Sequence, residues 1–248
     1  LGAGTGDTLS YAGYGNAVSV TLSDITSNTG STAAGGATAI SGTTTGFENL
    51  VGGSTTGDTI TDSTGNSTVA ITGANSGTID GLAFSAIENL SLSTGDDTVT
   101  VTGSGSGVSL TGSLDLGDGT NSLTMNSSAG SIASVTSGTG DDTFSISAGS
   151  VTGAVSAGDG TNTLTISGAS SSIGSYAGGS GIDSATLSGG DVMGNVSTGS
   201  GDDTVLISST SSTIGGNLDL GAGTGDTLSY AGYGNAVSVT LTDITSTS

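Results

Sequence analysis

The chain has 248 residues, 48 of them glycine, a formal charge of −21, and no Lys, Arg, His, Cys, Pro or Trp. Its carboxylates therefore have no internal counter-ions and must be solvated, spread apart, hydrogen-bonded or matched by cations from solution. Phosphate binding draws on Lys and Arg, so this composition excludes nucleic acid and an anionic membrane surface as partners, and it removes the usual bases, activated nucleophiles and oxyanion clamps of enzymes.

Residues 1–27 (LGAGTGDTLSYAGYGNAVSVTLSDITS) return at 220–246 with one change, Thr242 standing where Ser23 does. A near-exact copy of that length predicts one complete unit of a tandem array, 1–219, and the start of the next, 220–248, continuing the same coil without a linker. Tyr11 and Tyr14 recur as Tyr230 and Tyr233; they read as residues that pack at or cap a coil corner.

Between the two copies, Gly-rich turns close on an Asp or Asn just before a short alternating run. These residues are Asp58, Asp97, Asn121, Asp142, Asn162, Asp183, Asp203 and Asp226, at steps of 39, 24, 21, 20, 21, 20 and 23. The step of 39 fits two rungs. The runs that follow, such as Thr98-Val99-Thr100-Val101, Thr143-Phe144-Ser145-Ile146 and Thr163-Leu164-Thr165-Ile166, have the two-residue period of half-buried strands. Before each turn comes an apolar pair: Leu110/Leu114, Ile132/Val135, Val151/Val155, Ile173/Tyr176, Val192/Val196, Ile214/Leu218.

Two short strands per rung of about 20 residues predict an all-β fold, a parallel β-solenoid of the β-helix or β-roll kind. The missing proline agrees, since every coil must donate ladder hydrogen bonds. About ten rungs per unit, with strands about 4.8 Å apart, would make a rod on the order of 50 Å. One inward level is expected to hold Ile60, Val99, Leu123, Phe144, Leu164, Val205 and Leu228.

The Gly-Asp turns carry the most chemistry. Gly178-Gly179-Ser180-Gly181-Ile182-Asp183-Ser184-Ala185-Thr186 fits the nonapeptide G-G-X-G-X-D-X-U-X, and the turns at Gly138–Phe144 and Gly199–Val205 fit it but for the first Gly. The tetrapeptides Phe47-Glu48-Asn49-Leu50 and Ile87-Glu88-Asn89-Leu90 hold the two Glu residues of the chain. On these motifs the chain resembles RTX-type (hemolysin-type calcium-binding) repeats and giant bacterial tandem-repeat surface adhesins. The resemblance implies bound Ca2+, with Asp97, Asp118, Asp141, Asp142, Asp159, Asp183, Asp202 and Asp203 as the candidate metal ligands. It departs from the family in having one such turn per rung rather than tandem nonapeptides.

Physics supplies a separate reason for cations: like carboxylates stacked at about 5 Å repel by about 1 kcal/mol or more per pair. Calcium takes six to eight oxygens of the kind such a turn offers. The alternative reading makes Asp and Asn turn formers only.

The expected function is structural and non-enzymatic: an extracellular, cell-surface or matrix fibre or adhesin, self-associating as tandem units or head to tail, with a glycan or host surface as a further partner and no membrane insertion. Two other readings stay open. The Thr-X-Thr faces (Thr59/Thr61, Thr98/Thr100, Thr163/Thr165) would suit an ice- or glycan-binding surface, and the pairs Asp96/Asp97, Asp141/Asp142 and Asp202/Asp203 a polysaccharide-degrading enzyme. Three near-equivalent pairs recurring among the repeat units, however, look like architecture.

Overall fold

A computed structural model describes residues 6–26, 32–103 and 107–240. The chain winds as an all-β solenoid of about 6 turns with about 22 residues per turn, and no helix occurs among the described residues. The first strands are β1 (Thr8–Ser10), β2 (Ser19–Thr26), β3 (Thr32–Ala37), β4 (Ile40–Phe47), β5 (Asn49–Val51), β6 (Thr59–Asp62), β7 (Thr68–Gly73) and β8 (Ser76–Ile79). Next come β9 (Leu82–Ser85), β10 (Asn89–Ser91), β11 (Thr98–Val101), β12 (Ser109–Asp115), β13 (Ser122–Met125), β14 (Ser131–Thr136), β15 (Thr143–Ile146) and β16 (Ser150–Ser156). The last are β17 (Thr163–Ile166), β18 (Ser172–Ser180), β19 (Ser184–Leu187), β20 (Asp191–Val192), β21 (Val196–Ser200), β22 (Thr204–Ile207), β23 (Leu218–Asp219) and β24 (Thr227–Ser229).

Two long sheets face each other across the core. The front sheet runs β1-β5-β9-β8-β7-β11-β13-β15-β17-β19-β22-β24; the back sheet runs β4-β3-β2-β6-β10-β12-β14-β16-β18-β21-β23, with β20 also paired to β18. From β10 onward the chain alternates between the sheets, β20 and β21 together making one back-sheet pass, and each coil lies parallel on the last. The front register is unbroken: Thr98, Ser122, Thr143, Thr163, Ser184, Thr204 and Thr227 are successive partners.

The alternation seen in the sequence is the alternation of burial. Val99, Leu123, Phe144, Leu164, Ala185 and Val205 point into the core, as do Val101, Met125, Ile146, Ile166, Leu187 and Ile207 two residues on. β-branched and aromatic side chains between Thr and Ser suit such a half-buried pleat. In the back sheet the apolar pairs three or four residues apart are both buried because a bulge falls between them, as at Leu110/Ser113, Ile132/Val135 and Val151/Ala154. Of the inward level expected from sequence, Ile60 is buried but lies in the back sheet, and Leu228 is 37 % exposed at the C-terminal end.

The N-terminal third departs from regular coiling. The 39-residue step from Asp58 to Asp97 holds β6, a meander of β7, β8 and β9, and β10. In it β8 runs antiparallel to both neighbours. Its second turn is Asp80-Gly81 with φ of 46° and 89°, the positive pair of a two-residue type I′ hairpin. A second excursion joins β2, β3 and β4, also antiparallel, through Ala39 at φ 62°. Asp58 accordingly opens a back-sheet strand, whereas Asp97 and its successors open front-sheet strands.

The two excursions balance. One adds two strands to the front sheet and the other adds two to the back sheet. Among the described residues the front path has twelve strands, the last of which repeats the sequence of the first, and the back path has eleven. From β1 to its repeat β24 the front sheet thus advances eleven strand positions, and the back sheet holds eleven strands over the same stretch of chain.

Candidate functional site

The eight candidate aspartates divide into two columns on the corner that leads into the front sheet. Asp97, Asp142, Asp183 and Asp203 are buried and face inward; Asp118, Asp141, Asp159 and Asp202 are exposed. Within a pair such as Asp141-Asp142 the strand pleat sends one carboxylate out and its neighbour in.

The inner column is a ladder between coils. Each carboxylate or amide Oδ1 accepts the backbone N–H of the ladder residue one coil earlier. Asp97 accepts from Ser67 at 2.6 Å, Asn121 from Asp97 at 3.0 Å, Asp142 from Asn121 at 2.8 Å and Asn162 from Asp142 at 3.0 Å. Asp183 accepts from Asn162 at 2.9 Å, Asp203 from Asp183 at 2.8 Å and Asp226 from Asp203 at 3.0 Å. The outer column points the other way along the rod. There Asp118, Asp141, Asp159 and Asp202 take the amides of Thr139, Thr161, Ser180 and Thr224 in the following coil at 2.7–3.2 Å.

The second oxygen of the inner carboxyls sets them apart. In the Asn rungs the same position holds an amide nitrogen: Asn121 Nδ2 donates to the carbonyls of Gly117 and Gly119, and Asn162 Nδ2 to those of Gly158, Gly160 and Gly178. In the Asp rungs Oδ2 of Asp97, Asp142, Asp183 and Asp203 is buried without a hydrogen-bond partner. A donor position occupied by an acceptor disfavours the charged form. Burial pushes the Asp97 carboxyl up to about 6, with Asp62 and Asp80 adding to the rise, and pushes Asp183 up to about 6, with Asp203 adding. Burial also raises Asp142, with Asp141 adding. The buried Tyr176 hydroxyl, likewise without a partner, is raised by burial and by Asp183, Asp203 and Asp142. Outside, the Thr139 backbone amide and then its hydroxyl lower Asp118, and the amides of Thr224 and Gly225 lower Asp202.

Sequence reasoning did not assign a role to the two glutamates. Glu48 Oε2 accepts the amides of Gly6 and Asp7 at 3.1 and 2.7 Å, and Glu88 Oε2 those of Gly57 and Asp58, both at 3.0 Å. Each clamps the turn of the preceding coil, one before a front strand and one before a back strand. The signal was present in the recurrence of Glu-Asn-Leu at 48–50 and 88–90.

No three carboxylates converge on one point among the described residues. A cation here would be held by one carboxylate with turn carbonyls rather than by a carboxylate cluster. On the front sheet the outward columns Thr98–Thr227 and Thr100–Ser229 run in register and are interrupted by Leu206. No protein-family model, curated protein or solved structure matches the chain.

Proposed function

We propose that the chain is a structural, non-enzymatic repeat protein that builds a long acidic fibre at a cell surface or in an extracellular matrix. The observation that carries this reading is that the repeated strand β24 stacks in register on the front sheet eleven strand positions from β1, over a stretch in which the back sheet also holds eleven strands. Coil stacking then supplies length, and uniform negative charge keeps neighbouring rods apart.

The resemblance to RTX-type repeats and tandem-repeat adhesins supports surface exposure and Ca2+ as a stiffening ion. The unpartnered Oδ2 atoms of the Asp rungs, at the position where Asn121 and Asn162 set an amide nitrogen against turn carbonyls, are the groups such an ion would meet. The test is electron microscopy of chains of several units, in millimolar calcium and in chelator. Straight unbranched rods in both conditions would show that coil packing alone makes the fibre, and rods that straighten only with calcium would assign the ion a structural role. Flexible beads in both would contradict the fibre.

The in-register hydroxyl columns of the front sheet favour a second reading, a surface for ice or glycan. Thermal hysteresis or glycan-array binding that is lost on Thr165→Leu would support it.

A further inference from the structure

We propose that Asn126 is an acceptor site for an N-linked glycan, one on each 219-residue unit. The proposal rests on the cell-surface reading, since such glycans belong to surface loops of secreted chains, and adds to it a modification that coil stacking does not require.

Four Asn-X-Ser/Thr acceptor motifs occur, at Asn66, Asn89, Asn126 and Asn195. In a chain so rich in Ser and Thr the motif alone selects nothing, and the surroundings of each carboxamide decide. Three are taken up by the fold. Asn66 Oδ1 accepts the Asp96 amide at 2.9 Å and Asn195 Oδ1 the Asn217 amide at 2.9 Å, each tying one coil to the next. Asn89 is bound at both ends: Oδ1 accepts the Ser113 amide and hydroxyl at 2.9 and 3.2 Å, and Nδ2 donates to the Asp58 carbonyl at 3.3 Å. These three motifs also lie in or run into strands, β7, β10 and β21.

Asn126 is neither bound nor in a strand. It follows β13 on the corner that leaves the front sheet, and its exposed side chain has no hydrogen-bond partner among the described residues. Ser128, whose hydroxyl completes the motif, is exposed as well. Between them the buried Ser127 donates its hydroxyl to the Gly103 carbonyl at 2.8 Å and anchors the turn beneath the two outward side chains.

The fold gives a carboxamide no task at this position. Thr102, Asn126, Ser147, Ser167, Ser188 and Ser208 each follow a front strand and donate their amide to the coil before, and every member but Asn126 is Ser or Thr. The turn 126–130 recurs at 167–171 and 208–212, closed each time by one backbone bond, Gly130 to Ser127, Ser171 to Gly168 and Ser212 to Ser209. Of the three, the first alone carries the motif. Charge favours the same corner. The acidic columns occupy the corner that leads into the front sheet, whereas the turns 126–130, 147–149, 167–171 and 188–190 hold no carboxylate. An anionic glycosyl donor is repelled least there.

In the transfer, Asn126 Nδ2 forms a bond to the anomeric carbon of a glycosyl pyrophosphate. The bond from that carbon to the pyrophosphate oxygen breaks, its electron pair leaves with the pyrophosphate, and one amide proton passes to a base of the transferase. The Ser128 hydroxyl is the group by which the transferase reads the motif.

The test treats the full folded chain with a transferase specific for Asn-X-Ser/Thr and a lipid-linked glycosyl pyrophosphate, followed by mass spectrometry. No Lys or Arg offers a tryptic site, but cleavage before Asp places the four motifs on separate peptides, 62–79, 80–95, 118–140 and 191–201. The expected result is one glycan on 118–140 and none on the other three, lost in Ser128→Ala at an unchanged melting temperature, while the denatured chain accepts glycan at further motifs.

A bare 118–140 peptide from the folded chain overturns the assignment, and so does equal modification of Asn66 or Asn195. A bare Asn126 on chains that form straight rods under the electron microscope removes this site and leaves the fibre standing. Glycan at Asn126 on chains that form no rods keeps the site and removes the fibre.

Discussion

Each of the eight aspartates on the corner that leads into the front sheet does one of two jobs, and the pleat decides which. Outer aspartates sit in water and tie a coil to the next through an amide; inner ones are sealed in with an oxygen that has no donor. Asn121 and Asn162 show what the site prefers, because their amide nitrogens fill that position with hydrogen bonds. Asp97 and Asp183 have folded values raised to about 6, against about 3.9 in an unfolded chain. A raised folded value means their stabilising contribution is full below about pH 4 and is lost as pH rises through about 6. In calcium-free buffer the melting temperature should therefore rise as pH falls from 8 to 5, measured by circular dichroism. Asp183→Asn should raise stability at pH 7.5 by about 1 kcal/mol and flatten that dependence; a lower melting temperature for the variant at pH 7.5 would mean that the buried carboxylate has a partner. The sequence showed that Asp or Asn closes each turn. Which member of an Asp-Asp pair is buried was also readable, from the two-residue period continued back from Val99 or Phe144. That Oδ2 would lack a donor needed the neighbouring coil.

At the scale of the coil, close approach of backbones sets the rules. Gly160, at φ 129°, would place a Cβ 2.1 Å from the Gly140 carbonyl oxygen of the coil before, whereas Gly65, at φ 105°, faces open space. Gly160→Ala should thus cost clearly more than Gly65→Ala, whose penalty is conformational and on the order of 1 kcal/mol; equal losses in chemical denaturation would contradict the close stacking. Phe144→Ala, at a fully buried site, should cost about 3–5 kcal/mol. The regular coils were legible because Thr-apolar-Thr runs recur at a near-constant step. The two hairpins were not read. Asp80-Gly81 between Gly77–Ile79 and Leu82–Phe84 is a type I′ signal that the 20-residue phase masked. The β3–β4 turn has no such mark, since Ala39 takes a positive φ that its residue type does not announce.

Across the whole molecule, 21 acidic residues and no basic one leave self-repulsion unrelieved by ion pairs. Added salt should raise the melting temperature up to a few tenths molar, as screening shortens to about 3–10 Å; a fall over that range would point to specific ion binding instead. Length and repetition were plain from the 27 residues seen twice. The means by which they join was not, because balance between the sheets depends on where each hairpin inserts. Solution scattering of one unit against two tandem units measures that balance directly. Eleven shared strand positions per unit predict that the second unit lengthens the particle by about 53 Å at unchanged cross-section. An increment much shorter than this, with a thicker cross-section, would mean that the units pack side by side and that the coil does not continue from one to the next.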